Sequence, residues 1–296
     1  MLIQNRTIMK FPNYFADAES NYDDAEFVIF GVPYDKTSSF RSGATKGPSK
    51  IREASWNFET FNIRTGVDFI DIKVHDYGDL DVKDLSPQKM VEKIKDFTQK
   101  IISDQKIPIA IGGEHSITPG IIYAFPKDIA VLSLDAHFDF RNEYEDEKYN
   151  HACVTRRIID HVKIENIGVL GVRSGEKEEF EEAKKLGLFF IDSFKIKENG
   201  LDSALAKTKK HFGNKKLYLT LDIDVVDPGF APGTGTPEPF GITSFELLKI
   251  IDFFSPQIIG FDVVETNPDF DNGETAALSA KIVKSVIENI YSYKDG

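Results

Sequence analysis

The sequence predicts an α/β fold built on a mostly parallel sheet, and three observations predict it. Eight short apolar runs are spread from end to end of the 296 residues. Segments with helix-like amphipathic spacing separate them, the alternation that produces β-α units with right-handed crossovers. Most of the runs are continuously apolar, as strands are when helices cover both faces of their sheet. No low-complexity segment, repeat or linker interrupts the pattern, so a single domain over residues 1–296 is expected.

The elements follow in order. EFVIFGV (26–32) is the first expected strand, and GPSKIREASWNFE (47–59) the helix pattern after it. FIDIKVHDY (69–77) is the second strand. The clearest helix is SPQKMVEKIKDFTQKIISDQ (86–105). Ser86 stands at its N-cap and Pro87 at its first position, while Met90, Val91, Ile94, Phe97 and Ile101 recur at three- and four-residue spacing. IPIAIG (107–112), IAVLSLD (129–135), NIGVLGV (166–172), GLFFID (187–192), KLYLTLDID (216–224) and QIIGFDVV (257–264) complete the strands. ETAALSAKIVKSVIENIY (274–291) closes the pattern as a helix. Two long loops, 140–153 and the Pro- and Gly-rich 225–243, follow expected strand ends. Loops at the carboxyl ends of parallel strands are where such sheets build their sites.

Composition narrows the classes. The net charge of -12, from 36 basic and 48 acidic residues, argues against a nucleic-acid surface, which needs basic patches to displace counterions. It suits a cationic small molecule. The single cysteine, Cys153, rules out an intrachain disulfide and points to a reducing compartment. MLIQNRTIMKFPNYF lacks the apolar stretch of a secretory leader, and no apolar run is long enough to span a bilayer. A cytoplasmic protein with no membrane partner is therefore expected.

Four clusters carry the chemistry. In SLDAHFDFR (133–141), Asp135, His137 and Asp139 share a face if strand geometry persists. Gathering carboxylates in a low-dielectric place is costly without a counter-charge, and a cation supplies one. Read alone, the triplet fits either a metal site or an exposed edge strand of solvated acids. Asp222 and Asp224 repeat the pattern at the end of KLYLTLDID, where a frayed strand end is the bland alternative. Gly112 and Gly113 turn the chain sharply and present His115, a position where a structural histidine is common. Glu265 follows QIIGFDVV and, by itself, reads as a loop acid. Together the clusters offer His115, Asp135, His137, Asp139, Asp222 and Asp224. That set exceeds one four-coordinate ion and fits two divalent ions bridged by carboxylates. Its oxygen-rich composition favours manganese over zinc. Such a pair lowers the pKa of a shared water to about 7.

GGEHS (112–116), SLDAHFDFR (133–141), LDIDVVDPGFAPGTGTPEPFG (221–241) and VVETNP (263–268) resemble, in order and spacing, the metal-binding segments of the ureohydrolases, the arginase/agmatinase family. The resemblance covers nearly the whole chain. It implies a three-layer α/β/α sandwich on a mostly parallel eight-stranded sheet, the arginase/deacetylase-like fold, with two Mn2+ ions. Position by position, it places one ion on His115, Asp135, Asp139 and Asp222, and the other on His137, Asp135, Asp222 and Asp224. It makes Glu265 the acceptor of the substrate guanidinium, which stays protonated above about pH 12 and meets a carboxylate through two parallel hydrogen bonds. It makes Asp139 the group that passes a proton to the departing amine and His151 the proton shuttle. Glu114 departs from the aspartate common in relatives, and is expected to orient His115. The resemblance also implies a homo-oligomer, a trimer or hexamer.

The substrate is read from the loop after Asp139. Arginases carry Thr-, Ser- and Asn-rich text there, which meets the α-carboxylate and α-amino groups of arginine. Here the loop reads RNEYEDEKYNH, and Glu143, Glu145, Asp146 and Glu147 are expected to repel a carboxylate and attract an ammonium. Agmatine, giving putrescine and urea, is the expected substrate. Aminopropylagmatine, guanidinobutyrate and arginine are its rivals within the class. A metal-dependent deacetylase of the same fold and a non-catalytic binding protein are the readings outside it.

Overall fold

The computed structural model describes residues 11–294. The first ten residues of the segment read above for a leader lie outside that range. The strands are β1 (Phe27–Val32), β2 (Val74–Asp79), β3 (Ile107–Gly112), β4 (Ala130–Leu134), β5 (Ile167–Val172), β6 (Phe189–Asp192), β7 (Leu217–Asp222) and β8 (Ile258–Val264). The α-helices are α1 (Gly47–Ser55), α2 (Pro87–Ser103), α3 (Thr118–Ile122), α4 (Val154–Ile158), α5 (Lys177–Leu186), α6 (Ser193–Asn199), α7 (Leu201–Phe212), α8 (Ser244–Phe254) and α9 (Glu274–Lys294). All eight strands join one sheet in the order β2-β1-β3-β8-β7-β4-β5-β6. Every pairing in it is parallel.

Burial explains the three layers. β1, β4, β5 and β7 are buried at every position, so their side chains alternate between two apolar faces rather than between core and water. One face gathers Phe27, Ile29, Ile109, Leu132 and Leu219 against Ile51 of α1 and Val283 and Ile287 of α9. The other gathers Val28, Phe30, Ala110, Val131 and Tyr218 against Val91 and Ile94 of α2 and Ile121 of α3. α2 opens as its sequence indicates: Ser86 is extended and Pro87 is the first helical residue, although the Ser86 side chain makes no capping bond. Among the described residues no helix is long and apolar enough to cross a membrane.

One expected strand starts late. Phe69–Asp71 forms a single 3-10 turn, because the Asp68 side chain accepts the Ile70 amide and caps it. β2 begins only at Val74 and runs to Asp79. Asp76 and Asp79 are held there by Arg52 of α1, whose Nε and Nη2 reach the two Asp76 carboxylate oxygens at 2.7 and 2.9 Å. Its Nη1 reaches Asp79 at 2.5 Å. The side chains of Arg52 and Asp76 are both fully buried. This three-residue ion cluster fastens the sheet edge to the first helix.

Candidate metal centre

The strand order sets the site. The chain leaves β3, crosses to β4, and later fills the gap with β7 and β8. The carboxyl ends of β3, β8, β7 and β4 therefore lie side by side, at the reversal of strand order where open parallel sheets form a crevice. Each of these four ends delivers a part of the candidate site. His115 begins a 3-10 turn just after β3. Asp222 ends β7, and Asp224 lies in the 3-10 turn that follows. Glu265 is the residue after β8.

β4 stops at Leu134, so strand alternation does not carry Asp135, His137 and Asp139. The chain bends instead. The His137 amide donates to Asp135 Oδ1 at 2.7 Å and the Ala136 amide to Asp224 Oδ1 at 3.0 Å. Asp139 adopts a left-handed backbone, φ 48°. The three side chains still converge, through these loop bonds rather than through the pleat.

Two groupings result. His115, Asp135 and Asp139 present ligand atoms all within 4.8 Å of one another, and so do Asp135, His137 and Asp224. Asp135 belongs to both. Asp222 lies outside these two triplets, but its Oδ2 is 3.3 Å from His115 Nδ1. His115 Nδ1 also lies 3.2 Å from Asp135 Oδ2 and 3.1 Å from Asp139 Oδ2. His137 Nδ1 lies 2.9 Å from Asp224 Oδ2. Both imidazoles thus turn Nδ1 inward. For His115 the cause is visible: its Nε2 meets Thr220 Oγ1 at 3.1 Å, and that hydroxyl donates to buried Asp262 at 2.6 Å. Nε2 must then carry the proton, which leaves the Nδ1 lone pair aimed at the carboxylates.

The donor set fits cations on an independent observation. His115 Nδ1 and Asp135 Oδ2 are buried polar atoms with no hydrogen-bond partner. Buried polar atoms are normally satisfied, and two lone pairs side by side with no donor between them mark a place for a cation. Protonation tells the same story. Burial lifts the Asp139 carboxyl, and the neighbouring Asp135 charge lifts it further, to about 7. Burial, then Asp224 and Asp135, lift Asp222 well above the usual carboxylate range. Burial alone lowers the His115 imidazole, but the close Asp135, Asp139 and Asp222 carboxylates outweigh it and hold it well above its ordinary value. Protons take the place that cations suit better.

Glu265 and His151 flank the cluster and line the same cavity of about 350 Å³. Glu265 is left-handed, φ 62°. Its Oε1 accepts the His115 amide at 2.7 Å, and its own amide donates to Gly113 O at 2.8 Å. Residue 113 is glycine because the Tyr34 backbone packs against it: a Cβ there would sit 2.0 Å from Tyr34 O. Burial, with the charge of His137 second, pushes His151 down to about 4, so its imidazole is neutral at pH 7.

Two expectations are corrected. The Glu114 carboxylate does not orient His115; it accepts from Thr37 and Ser116 on the other side of the turn. Nor do Glu143, Glu145, Asp146 and Glu147 line the cavity. Tyr144 of the same loop reaches the cavity, but Glu143, Glu145 and Asp146 are exposed and Glu147 accepts the Tyr149 amide. Beyond Asp139, Asp222, Asp224 and Glu265, the acids on the cavity wall are Glu176, Glu179 and Glu238. Glu176 and Glu179 come from the start of α5, brought close because β5 pairs with β4. Glu238 sits in the 225–243 loop, which Arg173 clamps by donating to the carbonyls of Asp224 at 2.6 Å and Glu238 at 2.7 Å. Nothing in the local sequence around these glutamates signals this; only the strand order does.

Known proteins resemble this chain in sequence and fold. The profile of the Arginase family matches residues 25–288. An agmatinase of Halalkalibacterium halodurans is 37% identical over 280 residues, 92% of this chain and 95% of that protein. An N(1)-aminopropylagmatine ureohydrolase of Thermococcus kodakarensis is 34% identical over 265 residues, 88% of this chain and 89% of that one. The crystal structure of the agmatine ureohydrolase of Thermoplasma volcanium superposes with a TM-score of 0.92 at 38% identity, covering 98% of both chains. A profile match over residues 25–288 and a relative 37% identical over 92% of this chain, on the same eight-stranded fold, place it in the arginase family of ureohydrolases, hydrolases of the amidino group.

Proposed function

We propose that the protein hydrolyses agmatine to putrescine and urea, with manganese as the resident ion. Its residues are read as one domain. His115, Asp135, Asp139 and Asp222 would hold one ion, and His137, Asp135, Asp222 and Asp224 the other. When bound, the pair supplies Lewis acidity and a water of lowered pKa.

The chain's own residues supply binding and proton handling. Glu265 receives the guanidinium: Oε1 is fixed by the His115 amide, which orients the carboxylate toward the cavity. Water adds to the guanidinium carbon, and the bond to the alkyl nitrogen breaks. Asp139, on the same cavity wall, carries a proton to that nitrogen. His151, neutral and on the cavity wall, relays the water's other proton, by way of solvent, to the departing amine, which leaves as an ammonium.

The observation that carries the substrate reading is the charge of the wall. Glu176, Glu179 and Glu238 line it, and Arg141 is its one arginine or lysine among the described residues. Arg141 is already engaged, 3.1 Å from Glu176 and 4.5 Å over the Tyr144 ring. A substrate carboxylate finds no open cation there; a substrate ammonium finds acids. A second reading, aminopropylagmatine, is favoured by an adjoining groove of about 390 Å³ that shares Arg141, Tyr144, Glu176 and Glu179 and adds Glu143, Glu178 and Glu182. Such a groove suits a longer cationic tail.

The test is urea release by the manganese-loaded enzyme from agmatine, aminopropylagmatine, 4-guanidinobutyrate and arginine. Agmatine should give the highest kcat/KM and the two carboxylates the lowest. Arginine turned over faster than agmatine would overturn the charge argument. Aminopropylagmatine ahead of agmatine would select the second reading.

A further inference from the structure

We infer that Thr37, held by Glu114, is a positioning residue that fixes the tautomer of His151. The inference rests on the reading of His151 as the proton-moving group and goes beyond it, because nothing in that role requires Thr37.

The argument is a count of protons and lone pairs. Glu114 is fully buried. Its Oε2 accepts the Thr37 amide at 2.7 Å, and its Oε1 accepts the Thr37 hydroxyl at 2.9 Å and the Ser116 hydroxyl at 2.5 Å. A threonine hydroxyl has one proton. Here it goes to the carboxylate, the stronger acceptor. The two lone pairs of Thr37 Oγ1 remain, and both face residue 151. The His151 amide donates to Oγ1 at 3.0 Å, and His151 Nδ1 lies 3.3 Å from the same oxygen. Facing a lone pair, Nδ1 must be the protonated nitrogen. In a neutral imidazole Nε2 is then unprotonated, with its lone pair available to the cavity that His151 lines. Ser39 Oγ, 3.4 Å from Nε2, is the nearest hydroxyl to it. The loop carrying Thr37 is itself pinned: Asp35 accepts the Gly43 amide at 2.5 Å and the Ala44 amide at 2.9 Å.

The consequence is specific. Removing the Thr37 hydroxyl deprives Nδ1–H of its acceptor and frees the ring to take the other tautomer, whose Nε2 can no longer accept. Thr37→Val, nearly isosteric, makes that change in the full-length manganese-loaded enzyme. It should lower kcat on agmatine by at least about tenfold, within the roughly 10²–10⁴-fold worth of a positioned acid–base group, and leave KM within about twofold. Thr37→Ser, which restores the hydroxyl, should recover most of kcat. The decisive measurement is the cycle with His151→Asn. If Thr37 acts through the imidazole, Thr37→Val changes kcat by less than about twofold once His151 is gone.

The outcomes separate the two ideas. Unchanged kcat in His151→Asn removes the shuttle role and the inference with it. A large loss in His151→Asn, with Thr37→Val harmless or multiplying that loss independently, overturns the Thr37 inference and leaves the shuttle role standing. Should Thr37→Val not fold, Glu114→Gln asks the same question. Its amide N–H would donate to Thr37 Oγ1 and turn the hydroxyl toward Nδ1, inverting the tautomer. The same kcat loss, absent in the His151→Asn background, is expected; normal turnover overturns the inference.

Discussion

Glu265→Gln isolates the charge that is proposed to hold the substrate. The change keeps the side chain's shape, and the amide oxygen can still accept the His115 amide that Glu265 Oε1 now accepts at 2.7 Å. The other oxygen becomes an NH2 group facing a guanidinium, which has donors only. One charge-assisted hydrogen bond is lost, about 1.5–3 kcal/mol. At about 1.4 kcal/mol per tenfold, kcat/KM for agmatine should fall by about 10- to 150-fold. Melting temperature and manganese content should not move, because the bond to His115 survives. Glu265→Ala differs in a defined way: it also strips the His115 amide of its acceptor, adding about 1–3 kcal/mol of instability. The assay is urea release at saturating manganese, with metal counting and thermal melting on each variant. A Glu265→Gln enzyme within about twofold of the parent would refute the guanidinium assignment. Loss of metal from it would show that Glu265 supports the cluster instead.

Metal uptake should compete with protons. His115 and His137 sit well above their ordinary pKa and Asp139 near 7, so protons must leave as cations enter. Manganese affinity should therefore weaken by about tenfold or more per unit as pH falls below 7, read by calorimetry in buffers of different ionisation enthalpy; a pH-independent affinity would contradict the site. Arg52→Met leaves the fully buried Asp76 side chain without its cation. A destabilisation of about 3–5 kcal/mol is expected by denaturant unfolding, and a variant as stable as the parent would show that the cluster contributes nothing.

The fold was legible because both signals in it are local. Continuous apolar runs such as AVLSL in β4 announce strands covered on two faces, and the 3.6-residue stripe through Met90, Val91, Ile94 and Ile101 announces α2. The ligand cluster was legible for a partly mistaken reason. Alternation in SLDAHFDFR suggested three side chains on one strand face, yet the strand ends at Leu134 and hydrogen bonds in the bend bring them together. The acidic wall was misplaced because charge in a loop says nothing about which way the loop turns. Glu143, Glu145, Asp146 and Glu147 lie off that wall although Tyr144 between them reaches it, and Glu176 takes their place from an element about 30 residues on, through the β4–β5 pairing. Glu114 was misassigned for a related reason. Adjacency to His115 in the chain suggested contact, while the turn after β3 sends neighbouring side chains to opposite sides.

The backbone around the chemistry is held in conformations the chain would not choose alone. Asp139 and Glu265 both have positive φ, 48° and 62°, and neither is glycine. Such residues cost on the order of 1–3 kcal/mol each and persist only where surrounding bonds over-determine them. Those bonds are present. The peptide after Asp139 donates its Phe140 amide to Glu179 at 2.6 Å, and the Asp139 carbonyl accepts the Arg156 amide at 3.3 Å. Glu265 is tied at both ends to the turn after β3, through Gly113 O and the His115 amide. The cost is met by the scaffold at folding, before substrate arrives. Two carboxylates are thereby fixed at the wall of one cavity without reorganisation at the moment of reaction, the condition under which electrostatic positioning is worth most. Glu179 then has a use besides its place on the cavity wall: it links the strained peptide after Asp139 to α5. Asp139 is locked from α5, the helix after β5, and from α4, and Glu265 from the turn after β3, so the geometry between them depends on the strand order rather than on either loop.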